Sequence, residues 1–311
     1  MAIQPPMISL SEVSRNFKHI EAVSNLSLEI QPGELFGLVG PDGAGKTTTL
    51  RMIAGLLSLS GGTGEVAGLD LQSAYEKIKQ KIGYMAQRFS LYAELNVVEN
   101  MRFFAELYSV PLNQIQERMD WLLEFANLSK FRDRRADRLS GGMQKKLALA
   151  CCLIHEPEIL ILDEPTTGVD PISRREFWNI LSDLHLSGTT IVVSTPYMDE
   201  ADRCSRVGLM YEGTLMRCAS PKEIRSSLGA EMVVLIPDQP GGIVNLLYSI
   251  PGVMEVQTYG DAFHILVSNA KKVTQNIRKV FRREKRGYRE LRVSQPRMEE
   301  AFISLMTRDA Q

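Results

Sequence analysis

Gly40-Pro41-Asp42-Gly43-Ala44-Gly45-Lys46-Thr47 lies between an apolar run, Glu34 to Val39, and a stretch with Leu50, Ile53, Ala54 and Leu57 at helical spacing. A strand that enters a glycine loop and leaves it as a helix is what a phosphate-binding loop requires, and it constrains the fold more than any other feature. The glycines let backbone N–H groups curl round phosphate oxygens with no Cβ in the way. Lys46 supplies a point charge for the β- and γ-phosphates and Thr47 a hydroxyl for Mg²⁺, while the positive end of the helix adds to both. Gly40, Gly43 and Gly45 do not follow G-x-G-x-x-G, which argues against a dinucleotide fold.

A second apolar strand, Ile159 to Leu162, ends in Asp163-Glu164. That places two carboxylates at the C-terminal edge of a buried strand, where open α/β sheets bind their ligands. Asp163 is expected to hold Mg²⁺ directly or through water, and Glu164 to polarise an attacking water.

At 311 residues the chain is long enough for two domains. Segments ISLSEV and AVSNLSLEI, between Ile8 and Ile30, read as antiparallel strands. Thr48 to Leu57 reads as a helix, Val97 to Phe131 as a helical insert, and Thr190 to Ser194 as a further strand of a parallel sheet. After Pro221 the order strand EMVVLI, helix GIVNLLYSI, strands VMEVQTY and AFHILV, a helix with Val273, Ile277, Val280 and Phe281 on one face, and strand RELRVS is the βαββαβ pattern of a ferredoxin-like domain. The expectation is an α/β chain with a domain at 1–220, whose helical part is about 90–140, followed by a small α+β domain at 221–311.

At Leu139-Ser140-Gly141-Gly142-Met143 a third motif joins the first two, and together they resemble the ATP-binding subunit of an ABC transporter. The resemblance covers roughly residues 8 to 220. It implies a RecA-like phosphate-loop core with an antiparallel β subdomain and a helical insert, working as a head-to-tail dimer on ATP and Mg²⁺. Leu139 to Met143 would then meet the γ-phosphate held by the other subunit, at the start of the helix from Gln144 to Leu153. The resemblance also implies that Gln87, in GYMAQRF, reaches Mg²⁺ and the water, that Phe17 stacks on adenine, that Thr48 lies beside the phosphates and that Asp170 lies across the dimer interface. T-T-G-V-D after Glu164 and the C-terminal domain look most like the drug-export branch, whose membrane permease is a separate polypeptide.

One position departs from the family pattern. Where the family has a switch histidine, in a setting like S-T-H-x-M-D-E-A, this chain has Pro196. Proline offers neither a side-chain donor nor a backbone N–H to the γ-phosphate. The expectation is a site slow in isolation that pairs with a second, histidine-bearing cassette, with a symmetric homodimer as the alternative. Two other readings stay open: a non-transport ABC protein of ribosomes or nucleic acid, and a cassette that binds ATP but scarcely hydrolyses it.

Composition adds little. Lys plus Arg is 36 against 37 Asp plus Glu, so no global charge points to nucleic acid. A local stripe, ten Lys or Arg against two Glu between Lys271 and Arg292, lacks the interleaved aromatics that stack bases. No specific nucleic-acid partner is expected. Cys151, Cys152, Cys204 and Cys218 show no metal spacing and read as free thiols. Met1 to Leu10 lacks the charge and apolar run of a signal peptide, and no apolar run approaches the length that crosses a bilayer. The expected place is the cytoplasmic face of a membrane, through a permease.

Overall fold

The computed structural model describes residues 4–88 and 91–309; Met1 to Ile3 of the N-terminal stretch and Phe89 of GYMAQRF lie outside the described residues. The chain divides into two compact units, 1–220 and 221–311.

The first unit runs β1 (Ile8–Phe17), β2 (Ile20–Ile30), β3 (Leu35–Val39), α1 (Lys46–Ile53), β4 (Gly61–Val66), β5 (Leu69–Asp70), α2 (Tyr75–Lys81) and β6 (Ile82–Met85). It continues with α3 (Val97–Leu107), α4 (Leu112–Phe125), α5 (Gly141–Leu153), β7 (Ile159–Asp163), α6 (Pro171–Leu186), β8 (Thr190–Thr195), α7 (Met198–Ala201), β9 (Arg206–Tyr211) and β10 (Thr214–Ala219). One sheet, in the order β2-β1-β4-β5, is antiparallel, with Ile8 opposite Ile30 and Leu10 opposite Leu28. The other, β10-β9-β3-β8-β7-β6, is parallel except for β10.

Every residue of β3, β7 and β8 is buried, so these strands appear in the sequence as apolar runs, LFGLV, ILIL and IVV, rather than as alternating patterns. The expected α/β core, antiparallel β subdomain and helical insert are all present. Three differences are physical. α1 starts at Lys46 and stops at Ile53, short of Leu57, because Gly55 at φ +65° ends it. The strands β4, β5, β6, β9 and β10 have no counterpart in the sequence reading, since β4 carries three glycines and β6 has only four residues. α5 begins at Gly141 rather than Gln144, capped by Ser140, whose Oγ accepts from Met143 N at 3.3 Å. In the insert, Asn96 and Glu99 start α3 with reciprocal side-chain bonds of 2.9 and 2.7 Å, a capping box.

The second unit runs α8 (Pro221–Ser226), β11 (Glu231–Pro237), α9 (Ile243–Tyr248), β12 (Val253–Tyr259), β13 (Ala262–Val267), α10 (Ala270–Arg283), β14 (Tyr288–Ser294) and α11 (Met298–Asp309). Its sheet, β12-β13-β11-β14, is antiparallel throughout and carries the βαββαβ order. Val233, Leu235, Ile265 and Val267 pack on Ile243, Leu247, Val273, Ile277 and Phe281. α11, unread in the sequence, is tied to the sheet by His264 Nδ1, 3.0 Å from Glu300 Oε1. No helix among the described residues is long and apolar enough to cross a membrane.

Candidate active site

The parallel register brings four chain segments to one sheet edge. Val39 stands opposite Thr195, Asp163 opposite Ser194 and Met85 opposite Leu162, so the loops that leave β3, β6, β7 and β8 start side by side. The loops after β3, β6 and β7 border a cavity of about 440 Å³ lined by Asp42 to Thr48, Gln87 and Glu164, closed on one side by Ile20, Glu21, Ala22, Glu212 and Gly213. Gly45 precedes α1 at φ +99°, where a Cβ would come within 2.5 Å of Ala22 O. Only glycine fits both that backbone and that approach.

Lys46 is buried, donates to the carbonyls of Gly40 (2.8 Å) and Pro41 (2.9 Å), and lies 3.4 Å from Glu164 Oε1. Glu164 adopts φ +46°, a strained conformation for a side chain of its size. Its N–H faces Ser194, with O at 3.2 Å and Oγ at 3.0 Å. Its Oε2 accepts from Gln87 Nε2 at 2.8 Å and from Thr167 Oγ1 at 3.3 Å. Glu164 and Gln87 are therefore joined although 77 residues apart.

Asp163 is fully buried, and its Oδ1 accepts from Thr47 Oγ1 (3.0 Å) and Ser194 Oγ (2.7 Å). Among the described residues its Oδ2 has no hydrogen-bond partner. A buried carboxylate oxygen left unpaired is costly, and beside the Thr47 hydroxyl it suits a hard divalent cation that takes oxygen ligands. The residues present thus fit Mg²⁺. Nearby, burial pushes the Tyr84 hydroxyl above the usual phenol value, with the Asp163 charge adding to the shift. Lys145 donates to Gln87 O at 3.1 Å; burial pulls its ammonium down, against the pull of Asp163 and Glu164.

Other expected site residues lie elsewhere. Leu139 is buried, Ser140 and Gly141 are exposed, and none of Leu139 to Met143 lines the cavity of the phosphate loop. Gly141 instead borders a second cavity of about 340 Å³ with Gln87, Lys145, Thr167 and Val169. Phe17 is 42% exposed at the end of β1, under the Arg15 guanidinium at 4.8 Å, and does not line the nucleotide cavity; Ile20 and Ala22 do. Asp170 caps α6, accepting from Ile172 N (3.1 Å) and Ser173 N (3.0 Å). Pro196 is half-buried between β8 and α7. Ser194, brought to Asp163 by strand adjacency, and Lys145, brought to Gln87 O by the packing of α5, went unread because their partners lie far away in the sequence.

The model of the family described as ABC transporter matches residues 23–167. The probable multidrug ABC transporter ATP-binding protein YbhF of Escherichia coli (strain K12) is 41% identical over 220 residues, which is 71% of this chain but only 38% of YbhF. The Nod factor export ATP-binding protein I of Rhizobium etli is 33% identical over 304 residues, 97% of this chain and 94% of that protein. Among solved structures, the cassette MJ0796, a dimer in a post-hydrolysis state bound to ADP and Pi, has TM-score 0.64 and 27% identity, covering 69% of this chain and 98% of its own. CbiO1 of Clostridium perfringens, part of the transporter complex cbiONQ, has TM-score 0.66 and 27% identity, covering 72% of this chain and 92% of its own. With a relative matched over nearly its whole length, and the phosphate loop, the acidic strand end and the Leu139 to Met143 motif all present on this fold, the chain belongs to the ATP-binding subunits of the ABC transporter family.

Proposed function

We propose that the chain hydrolyses ATP to drive an exporter through a separate membrane permease, on the cytoplasmic face of the membrane, as one member of a head-to-tail cassette pair. The observation that carries this reading is the separation of Ser140-Gly141-Gly142 from the phosphate-loop cavity of the same chain. A signature that does not reach its own nucleotide is available to another chain's. The names of the relatives, multidrug and Nod factor export, support the direction of transport.

In this reading the N–H groups of Asp42 to Thr48 and the Lys46 ammonium bind the phosphates, with the base toward the cavity wall of Ile20 and Ala22. Thr47, Asp163 and Gln87 would hold Mg²⁺, which neutralises phosphate charge when bound. Gln87 fixes Glu164 through the 2.8 Å bond, so that the Glu164 carboxylate can orient a water and accept its proton. Asp170 faces the partner cassette. Leu56 and Leu107, 50% and 62% exposed, share a cavity of about 280 Å³ beside α3, an apolar seat for the permease.

Pro196 removes one donor to developing charge, a loss on the order of 10² to 10³ in rate. The pair is completed by a second cassette that carries the histidine. Substituting Ser140→Phe tests the division of labour in membranes that contain the permease. Turnover should fall while the ATP affinity of the same chain stays within about twofold. Loss of ATP binding by that chain would overturn the reading.

A further inference from the structure

Glu200, in the M-D-E-A of α7, is 1% exposed and takes no part in the chemistry described above. Its Oε1 accepts from Thr166 Oγ1 at 2.7 Å and its Oε2 from Thr195 Oγ1 at 2.5 Å. The Arg174 guanidinium, from α6, lies 3.7 Å from Oε1 and covers the Tyr197 ring at 5.0 Å. One buried carboxylate therefore joins three segments. Thr166 follows Glu164 by two residues, Thr195 immediately precedes Pro196, and Arg174 stands on the helix that Asp170 caps. Thr195 also reaches the phosphate loop, since its carbonyl accepts from Gly40 N at 3.4 Å and its hydroxyl accepts from Tyr197 N at 3.0 Å.

Burying a carboxylate costs several kcal/mol unless hydrogen bonds and an opposite charge meet it, and here both do. The arrangement is fixed by protein groups alone. With no donor at Pro196, a γ-phosphate cannot draw the segment after β8 into place, so what orders that segment must come from behind it. We propose that Glu200 is a positioning residue for hydrolysis, which holds the segment of Glu164 and the segment of Pro196 in one arrangement through Thr166 and Thr195. The proposal rests on the ATPase reading, in that the position it fixes is that of Glu164.

The test uses the full chain with Glu200→Gln, which keeps the size of the side chain but replaces one acceptor oxygen by an NH₂ donor. Single-turnover hydrolysis of labelled ATP, with protein in excess, reads slow rates. The rate should fall about tenfold, with ATP affinity within about twofold. Thr166→Val should reproduce that fall and Thr166→Ser restore the rate, because serine keeps the hydroxyl. Amide exchange should rise together at 166–170 and 195–201.

An unchanged rate in folded Glu200→Gln would overturn the proposal. So would a neutral Thr166→Val, or exchange that rises in α7 alone. Failure of the ATPase reading is separately visible as a wild-type rate equal to that of Glu164→Gln, and the exchange pattern decides the role of Glu200 in that case too.

Discussion

At the scale of single residues, the site divides into what contiguous motifs announce and what only folding assembles. Gly40 to Thr47 and Asp163-Glu164 were legible because each lies in an unbroken run whose chemistry depends on local order. Ser194 was not, since its partner Asp163 lies 31 residues away, and Glu200 was not, since its bond to Thr166 spans 34 residues. Pro196 was legible as a departure. The hydroxyl of Thr195 is held by Glu200 and Tyr197 N, not by residue 196. Pro196→His should therefore fold and restore a donor, raising turnover by roughly 10-fold or more. Turnover measured beside the wild type decides; an equal rate with ATP still bound would remove the argument for a histidine-bearing partner.

At the scale of elements, β3, β7 and β8 were readable because burial on both faces leaves an apolar run, whereas β4 hides behind three glycines and β6 is too short for any period to show. α5 carries two predictions. Gly142 faces α6 so closely that a Cβ would lie 2.5 Å from both Cβ and Oγ of Ser173. Gly142→Ala should lower stability by about 1–3 kcal/mol in denaturant unfolding, because Ser173 cannot move without its helix. Just beyond α5, His155 stacks on Tyr108 at 3.8 Å and bonds Ile82 O at 3.2 Å. Burial pulls its pKa down from 6.5 to about 4, with the Arg118 charge helping and the Ile82 bond opposing. The unfolded chain then takes up this proton first, so stability is lost as pH falls from 6.5 toward about 4. His155→Phe should flatten that part of the Tm profile between pH 7 and 5, and a parallel profile would contradict the assignment.

At the scale of the whole molecule, each unit has a core of its own, and the second is centred on Phe281, 1% exposed. Phe281→Ala should cost about 3–5 kcal/mol and, by calorimetry, shift the transition of the second unit while leaving ATP affinity unchanged. Lost ATP binding would show that the first unit depends on that core. The βαββαβ order of the second unit was legible from alternating patterns, but α8, with six residues, is too short to show a helical period and α11 lies beyond that order. In the proposed pair, this chain's own phosphate site is incomplete without a different cassette. ATP hydrolysis per chain, measured as a function of chain concentration with Glu164→Gln as the blank, tests it most directly. The account predicts a slow rate, above the blank, that stays flat with chain concentration while ATP is still bound. A rate per chain that climbs with concentration and vanishes in the blank would mean that two copies form a working site, and would contradict it.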